Sequence, residues 1–305
     1  MRRVDGLLPV MPTPLRGGRV DTDGIESLVA WVAPHVQGIT VLGSSGESGY
    51  LTPDDRRRAL AAFAEAAGRH DLAMVVGVTD PATAGAVDFV RSSEAAAANA
   101  FLVLPPTYYP ATLAATERHL AAVADAAAGR PLVLYDIPGL SGLGLGRPDV
   151  LELVERIPAI SHVKLSKLDL DGIAPLAAGG RLTLLAGYDE IAHEQVVEGC
   201  RGVMVPFVVM CPEQSARWYT ELITGDKRLA FSIFIEEISP LIRAMVGADV
   251  DFIGVVKLYA RRLGLIASAE TAPGLPELSE ARARQVEEHF AYMAARFRTV
   301  DCQQS

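Results

Sequence analysis

Lysine is scarce in this chain of 305 residues, where it occurs only as Lys164, Lys167, Lys227 and Lys257. The other 24 of its 28 basic residues are arginines, so arginine supplies most of the positive charge. Arginine stays protonated in proteins, whereas a buried lysine can release its proton and act as a nucleophile. Each lysine in this sequence is therefore a candidate for chemistry.

Cysteine is also rare. Cys200, Cys211 and Cys302 are odd in number, widely spaced and without a CxxC motif. This pattern argues against a disulfide framework and against a zinc site, and it indicates a reduced, cytoplasmic protein. The six histidines show no metal-ligand spacing such as H-E-x-x-H. We therefore expect neither a metal nor another cofactor.

Long apolar runs and long basic runs are both missing. The longest apolar run, GVMVPFVVMCP from position 202, is well short of the roughly 20 residues that a membrane-spanning helix needs. At the N-terminus, prolines interrupt the apolar patch and no small-residue cleavage site follows, so this segment is predicted to be a first strand. The net charge of -9, with no basic run beyond RRR at 56–58, argues against a nucleic-acid partner.

What the sequence does contain is a regular alternation of apolar, β-rich runs and Ala-rich helical patterns. Strands that are apolar along their length and separated by helices indicate a parallel sheet covered on both faces. About eight such units within about 220 residues predict a (β/α)8 TIM barrel. The predicted strands are LLPVM from 7, ITVLG from 39, AMVVGV from 73, AFLVLP from 100, PLVLYDI from 131, HVKLS from 162, LTLLAG from 182 and GVMVPFVV from 202.

A doubly wound sheet is the alternative architecture. Against it, no G-x-G-x-x-G follows the first strand, and GLSGLGLG after LYDIP has the wrong spacing and lies too late in the chain. From about Pro212 onward the pattern is entirely helical. We therefore expect residues 1–211 to form the barrel, and residues 212–305 to contain its last helix and a C-terminal helical extension.

Polar residues follow five of the predicted strands, at the end of a TIM barrel where active sites lie. Lys164 interrupts an otherwise apolar strand, which favours chemistry over solvation. A strand-borne lysine in a barrel without a metal motif suggests Schiff-base formation with a carbonyl substrate. The other polar residues at these strand ends are Ser44, Ser45, Tyr109, Tyr135, Asp189 and Glu190.

Structural roles are the alternative for several of these residues. A tyrosine in a strand usually packs with a satisfied hydroxyl, and an SSG loop is ordinary. Asp189 is suited to capping the helix EIAHEQVVEG that follows it, and Glu47 is expected to be structural. Lys167, an odd number of residues from Lys164, should face away or lie in the next loop, whereas His162 should share the face of Lys164 and be packed or hydrogen-bonded.

Three motifs carry a likeness to a known family: GSSGE at 43–47, YDIP at 135–138 and VK at 163–164. In this order and spacing they resemble the carboxylate-binding G-x-x-G-E loop, the Y-N-x-P segment and the Schiff-base strand of the dihydrodipicolinate synthase and N-acetylneuraminate lyase family. Its members are class I, pyruvate-dependent aldolases. The resemblance covers nearly the whole chain and implies a homotetramer built from two tight dimers.

The resemblance also implies roles for individual residues. Lys164 would form an imine with C2 of pyruvate or another 2-oxo acid, and Tyr135 would be the main acid/base group. Ser44 and Tyr109 would complete a proton relay, with Tyr109 reaching in from a neighbouring subunit. The residues implied to bind the substrate are Ser45, Gly187, Asp189, Glu190, Met204 and Leu140.

Departures from the family pattern bear on the substrate. Synthase-type members carry an arginine where this chain has Leu140, which argues against lysine-pathway synthase activity. IPGLSG, YYP and GYDE resemble the lyase branch, which implies a hydroxylated 2-oxo acid such as a 2-keto-3-deoxy or sialic-acid-like sugar acid. Pro206 in place of a substrate-binding serine argues against cleavage of sialic acid itself. Asp136 in place of the usual Asn, and KLS in place of a more polar continuation after the lysine, favour a shorter or less polar acceptor. The alternatives are a dehydratase of 2-keto-3-deoxy sugar acids that uses the same lysine, and a non-catalytic relative.

Overall fold

The computed structural model describes residues 2–92, 94–246 and 251–297. Eight parallel strands in these residues form its central sheet: β1 (Gly6–Leu7), β2 (Gly38–Val41), β3 (Ala73–Val78), β4 (Ala100–Val103), β5 (Leu132–Asp136), β6 (Ile160–Leu165), β7 (Thr183–Ala186) and β8 (Gly202–Val203). They pair in the order β1-β8-β7-β6-β5-β4-β3-β2. A parallel bridge between Val10, just beyond β1, and Thr40 in β2 joins the two ends of the sheet. The predicted (β/α)8 barrel is therefore confirmed.

Helices surround the sheet and follow the strands along the chain. The second of them has a favourable N-terminus, because the Thr52 hydroxyl accepts a hydrogen bond from the Asp55 N–H at 3.1 Å and Pro53 takes the first helical position. The helices are α1 (Thr22–Val32), α2 (Pro53–Arg69), α3 (Thr83–Arg91), α4 (Leu113–Ala126), α5 (Pro138–Ser141), α6 (Arg147–Arg156), α7 (Ile173–Ala178), α8 (Ala192–Val197), α9 (Phe207–Met210), α10 (Pro212–Thr224), α11 (Lys227–Ile233), α12 (Ser239–Met245), α13 (Phe252–Arg262) and α14 (Glu280–Phe297).

Short elements connect these helices and strands. A two-stranded hairpin pairs Leu15–Arg16 with Arg19–Val20, and a π-helical segment, Phe234–Ile238, joins α11 to α12. Short 3₁₀ turns occupy Ala33–His35, Ser48–Tyr50, Glu94–Ala97 and Asp189–Ile191. Within the described residues, no helix is both long and apolar enough to cross a membrane.

Alternate residues of each strand face opposite sides of the barrel wall. In β5, Leu132 and Leu134 pack in the outer core against the helices, whereas Val133 and Tyr135 belong to a second apolar cluster. This second cluster fills the interior of the barrel, as the two-residue period of a strand requires. His162 in β6 lies at the interior as well, and its Nδ1 shares a hydrogen bond of 2.8 Å with the Ser161 hydroxyl.

The last strand differs from the prediction. The apolar run from 202 was expected to be one strand, but only Gly202–Val203 pairs in the sheet, and Phe207–Met210 forms the short helix α9. Pro206 lies between them and has no N–H to donate to a strand ladder, so the chain turns there. Apolar runs of this length do not distinguish a buried strand from a buried helix.

A helical C-terminal region follows α9, as predicted, but the described residues 263–279, between α13 and α14, are not helical; α10 packs against β1 on the outside of the barrel. Cys200 and Cys211 are buried and unpaired, and Cys302 lies outside the described residues. Burial raises the pKa of each of the two described thiols to about 12, so both are neutral at physiological pH.

Candidate active site

Lys164 points into the barrel near the carboxyl ends of the strands. Its neighbours Val163 and Leu165 pack in the outer core, so the alternation of β6 turns Lys164 to the interior, where it is only 3% exposed. The pairing of β5 with β6 places Tyr135 directly beside it. Nζ of Lys164 donates a hydrogen bond of 3.2 Å to the Tyr135 hydroxyl and lies 4.4 Å from the centre of the tyrosine ring.

The Tyr135 hydroxyl lies between an amine and an alcohol. On its other side, the hydroxyl of Ser44, in the loop after β2, is 3.0 Å away. Ser44, Tyr135 and Lys164 therefore form one hydrogen-bonded row across the mouth of the barrel, although they come from the loop after β2, from β5 and from β6. A phenol in hydrogen-bond contact with an amine and an alcohol can pass a proton between them.

This row lies in a cavity of about 640 Å³ at the carboxyl ends of the strands. Eight of the residues predicted from the sequence line the cavity: Ser44, Ser45, Tyr135, Leu140, Lys164, Gly187, Asp189 and Glu190. The remaining lining residues, of which only Pro206 was placed at the substrate site from the sequence, are mostly apolar. They are Ile137, Pro138, Gly139, Ser166, Lys167, Leu168, Tyr188, Pro206, Met245, Val246 and Phe252.

Two predicted site residues lie elsewhere. Tyr109 is in the loop after β4, where its side chain is 76% exposed and meets the Tyr108 ring edge-on at 5.0 Å. Met204 is fully buried in the cluster inside the barrel, and its N–H donates to the Ala186 carbonyl at 2.7 Å just beyond β8. The single chain therefore places neither side chain at the cavity wall.

Asp189 begins the turn after β7, and its carboxylate accepts a hydrogen bond from the Phe207 N–H at 3.2 Å. Asp189 therefore binds the first residue of α9. The capping interpretation, in which Asp189 would cap the next helix in the chain, α8, is not what the structure shows. Burial raises the pKa of Asp189 from 3.8 to about 7, with a further rise from Glu190 and opposing effects from the Phe207 N–H and Lys164. Glu190 itself is exposed at the rim of the cavity.

Gly187 lies just after β7, where the backbone passes close to the end of β6. A Cβ atom there would lie 2.6 Å from the Ser166 Oγ and 2.8 Å from the Lys164 Cγ, so only glycine fits without displacing the lysine. Its N–H donates to Oε1 of Gln195 at 3.1 Å, and Nε2 of Gln195 donates to the Leu165 carbonyl at 3.0 Å. Gln195, a fully buried residue that the sequence did not single out, thereby holds the ends of β6 and β7 together.

A second lysine is at the wall of the cavity. Lys167 lies in the loop after β6, where the sequence allowed it, but its amine turns inward to Asp136, with Nζ 2.9 Å from Oδ2. It also donates to the Leu145 carbonyl at 2.7 Å. Burial raises the pKa of Asp136, and Lys167 opposes that rise. Two features of the sequence could have indicated this ion pair: Asp136 in place of the usual Asn, and the presence of a lysine in a chain that has few.

Sequence comparison identifies the family. The chain matches the model of the Dihydrodipicolinate synthetase family over residues 3–291. The 4-hydroxy-tetrahydrodipicolinate synthase 1 of Streptomyces coelicolor is 31% identical over 268 residues, which cover 87% of each chain. The 4-hydroxy-tetrahydrodipicolinate synthase of Corynebacterium aurimucosum is 31% identical over 280 residues, which cover 91% of this chain and 89% of the relative.

Solved structures of similar fold include two kinds of enzyme. A dihydrodipicolinate synthase superposes with a TM-score of 0.87 at 24% identity, covering 95% of this chain and 99% of that one. A catalytic-lysine mutant of the Ruminococcus gnavus sialic acid aldolase superposes with a TM-score of 0.86 at 22% identity, covering 97% of this chain and 100% of that one. Because of their low identity, these structures bear on the fold alone, and the family assignment rests on the sequence matches. The chain belongs to the Dihydrodipicolinate synthetase family, a family of lyases and aldolases.

Proposed function

We propose that this protein is a class I, pyruvate-dependent lyase in which Lys164 forms a Schiff base with a 2-oxo acid. The observation that carries the proposal is the hydrogen-bonded row Ser44, Tyr135 and Lys164 at the wall of the cavity. It combines a buried amine with a phenol at 3.2 Å, which is the arrangement that imine formation with acid/base assistance needs.

In the proposed reaction, the Lys164 nitrogen attacks C2 of pyruvate, and the carbonyl oxygen leaves as water. Tyr135 exchanges the protons of these steps with Ser44, while Ser45 holds the carboxylate of the substrate. Loss of a proton from C3 gives an enamine, whose C3 forms a bond to the carbonyl carbon of an aldehyde while the aldehyde oxygen takes up a proton. Water then hydrolyses the imine, which releases the product and restores the Lys164 amine. Run in reverse, the C3–C4 bond of a 4-hydroxy-2-oxo acid breaks, and pyruvate and an aldehyde are released.

The assembly is part of the proposal. Tyr109 completes the proton relay from a neighbouring subunit of a homotetramer, a role supported by the family likeness and by its exposure beside Tyr108, since clustered exposed aromatic side chains mark interaction sites. Residues 1–211 form the barrel, and residues 212–305 contain its last helix and the extension, from which Met245 and Phe252 reach the cavity. The setting is reducing and cytoplasmic, in keeping with the unpaired Cys200 and Cys211.

The acceptor end of the cavity favours a 2-keto-3-deoxy acid with few hydroxyl groups over a fully hydroxylated sugar acid. Several polar groups there already have protein partners: Asp189 accepts from Phe207, and the Ser166 hydroxyl donates to the Gly187 carbonyl at 2.7 Å. Exposed Glu190 is the carboxylate best placed to bind a substrate hydroxyl. The rest of this end is apolar, with Leu140, Leu168, Pro206, Met245 and Phe252 along the wall.

Dehydration of a 2-keto-3-deoxy sugar acid by the same lysine is the second candidate. Asp189 favours it, because a carboxyl group in the cavity with a pKa raised to about 7 is suited to protonating a departing hydroxyl at neutral pH. Analysis of the products separates the two reactions. Cleavage gives pyruvate and an aldehyde, whereas dehydration gives an acid with all its carbon atoms and one water fewer.

The covalent step is tested by borohydride reduction in the presence of pyruvate, followed by peptide mass mapping. We expect a stable adduct on Lys164 and none on Lys227, an exposed lysine that serves as the internal control. An adduct on Lys167, or on no lysine at all, would contradict the assignment.

The acceptor is tested with a series of 2-keto-3-deoxy acids of increasing length and hydroxylation. We expect Glu190→Ala to weaken the turnover of hydroxylated substrates more than Asp189→Ala, with pyruvate trapping at Lys164 nearly unchanged in both variants. Equal loss of pyruvate trapping and of hydroxylated substrates would show that these carboxylates are structural, and the acceptor would then not be a sugar acid.

A further inference from the structure

A fully buried ion pair lies behind the loop that carries Ser44 and Ser45. Nζ of Lys257, in α13, is 2.7 Å from Oε2 of Glu47, and both side chains are completely shielded from solvent. The two residues are 210 positions apart in the chain. Removing two charges from water is costly, and well-packed apolar residues are often as stabilising as a buried pair, so stability alone is a weak reason for this one.

Glu47 closes the turn that presents the two serines. Its N–H donates to the Ser44 carbonyl at 3.0 Å, and its φ of 60° is in the left-handed region, which is unfavourable for a residue with a Cβ. The carbonyl of Gly46 accepts a hydrogen bond of 2.7 Å from the Thr13 hydroxyl. The turn is thus held in a conformation that its own backbone does not favour, and the Glu47 side chain is one of its anchors.

Lys257 links this anchor to the C-terminal part of the chain. Besides Glu47, its amine donates to the Glu270 carbonyl at 2.8 Å. The Glu270 carboxylate in turn accepts the N–H groups of Gly17 and Gly18 at 2.9 and 2.6 Å. Burial raises the pKa of Glu47 and lowers that of Lys257, while the attraction between the two charges opposes both changes. One amine therefore joins α13, the segment at Glu270 and the serine turn.

We propose that Lys257, acting through Glu47, is a positioning residue that fixes the Ser44 and Ser45 hydroxyls relative to Tyr135. The inference rests on the proposed function for what those hydroxyls do. The Ser44 hydroxyl must stay about 3.0 Å from Tyr135 to take part in proton exchange, and Ser45 must face the substrate carboxylate. The helical extension thereby sets the geometry of the loop that carries Ser44 and Ser45.

The test uses Glu47→Gln/Lys257→Met, a pair of changes that removes both charges together and leaves no unpaired buried ion. We expect imine trapping at Lys164 to persist, with the pyruvate concentration for half-maximal trapping raised about tenfold by the loss of carboxylate positioning. Glu47→Gln alone should stay within about threefold of the wild-type value, because the amide oxygen still accepts the hydrogen bond from Lys257.

A second measurement separates positioning from general stability. Hydrogen exchange of the backbone amides in residues 43–50 is compared with that in Val255→Ala, which leaves a cavity in the same helix without touching Glu47. We expect exchange of this segment to rise in the double variant and not in Val255→Ala, when both are studied at matched overall stability. An equal rise in both, or an unchanged pyruvate dependence in the double variant, would overturn the proposal.

The two proposals fail in different ways. If wild-type protein forms no pyruvate adduct at Lys164, the proposed function is wrong, and the exchange of residues 43–50 still decides whether Lys257 positions the serine turn. If the adduct forms and the double variant behaves as wild type in both measurements, the proposed function stands and the positioning role is refuted.

Discussion

The Asp136–Lys167 pair gives a stability prediction that can be worked from the structure. Asp136 is 1% exposed, and its partners are the Lys167 amine at 2.9 Å and the more distant Leu145 N–H at 3.4 Å. Lys167→Met removes the amine and leaves the carboxylate buried without its counter-charge. Breaking a buried pair in this way costs about 3–5 kcal/mol, and because the Lys167 side chain is 17% exposed we expect the lower end, about 3 kcal/mol.

Asp136→Asn/Lys167→Met is the matched control. It removes both charges, so no unpaired ion remains, and we expect it to lie within about 1 kcal/mol of the wild type. Asp136→Asn alone should also cost only about 1 kcal/mol, because Lys167 keeps the Leu145 carbonyl and lies 3.7 Å from Asp169. The double variant is therefore expected to be more stable than Lys167→Met.

Denaturant unfolding at a fixed protein concentration measures these differences, with the midpoints compared at unchanged slope. The reasoning is refuted if Lys167→Met and the double variant are destabilised equally. That result would mean that the loss comes from the packing of the Lys167 chain and not from the charge left on Asp136.

Two further predictions concern the cavity. Tyr135→Phe removes the hydroxyl between Ser44 and Lys164, so pyruvate trapping should stay measurable while turnover falls about 10²-fold or more; unchanged turnover would make Tyr135 a packing residue. The raised pKa of Asp189, about 7 against 3.8, means that the folded protein holds this proton more tightly than the unfolded chain, so this group's stabilising contribution is present below pH 3.8 and is lost as the pH rises towards 7. Unfolding midpoints of Asp189→Asn should decline less than those of the wild type from pH 4 to 7, and parallel profiles would contradict the assignment.

The barrel was predictable because it follows from local patterns. The two-residue period of a strand predicts that Lys164 and His162 in β6 share one face. The strand order of a barrel predicts that β5 and β6 are neighbours, as the structure shows. The last strand was mispredicted because the run was assigned from its apolar character alone, although Pro206, which cannot donate to a strand ladder, marked the end of the strand. Because the chain turns at Pro206 into α9, Asp189 accepts a hydrogen bond from the Phe207 N–H and does not cap the helix that follows it in the chain.

The contacts that the sequence could not predict are those between distant segments. Glu47 and Lys257 are 210 residues apart, and no local sequence pattern around either residue predicts the other as its partner. Glu47 was expected to be structural, and its buried ion pair with Lys257 is the contact through which it could play that role. The contribution of Met245 and Phe252 to the cavity wall could not be predicted from the sequence either, because it depends on how the helical extension packs at the mouth of the barrel.

The scarcity of lysine has a practical consequence. The amines of Lys164, Lys167 and Lys257 are held inside the protein by Tyr135, Asp136 and Glu47, whereas Lys227 is exposed at the start of α11. Apart from the terminal amine of the polypeptide, an activated ester should therefore couple at Lys227. With the terminal amine blocked, coupling to a surface through Lys227 would attach the molecules in one common orientation, with the amine in the cavity still free to react with pyruvate.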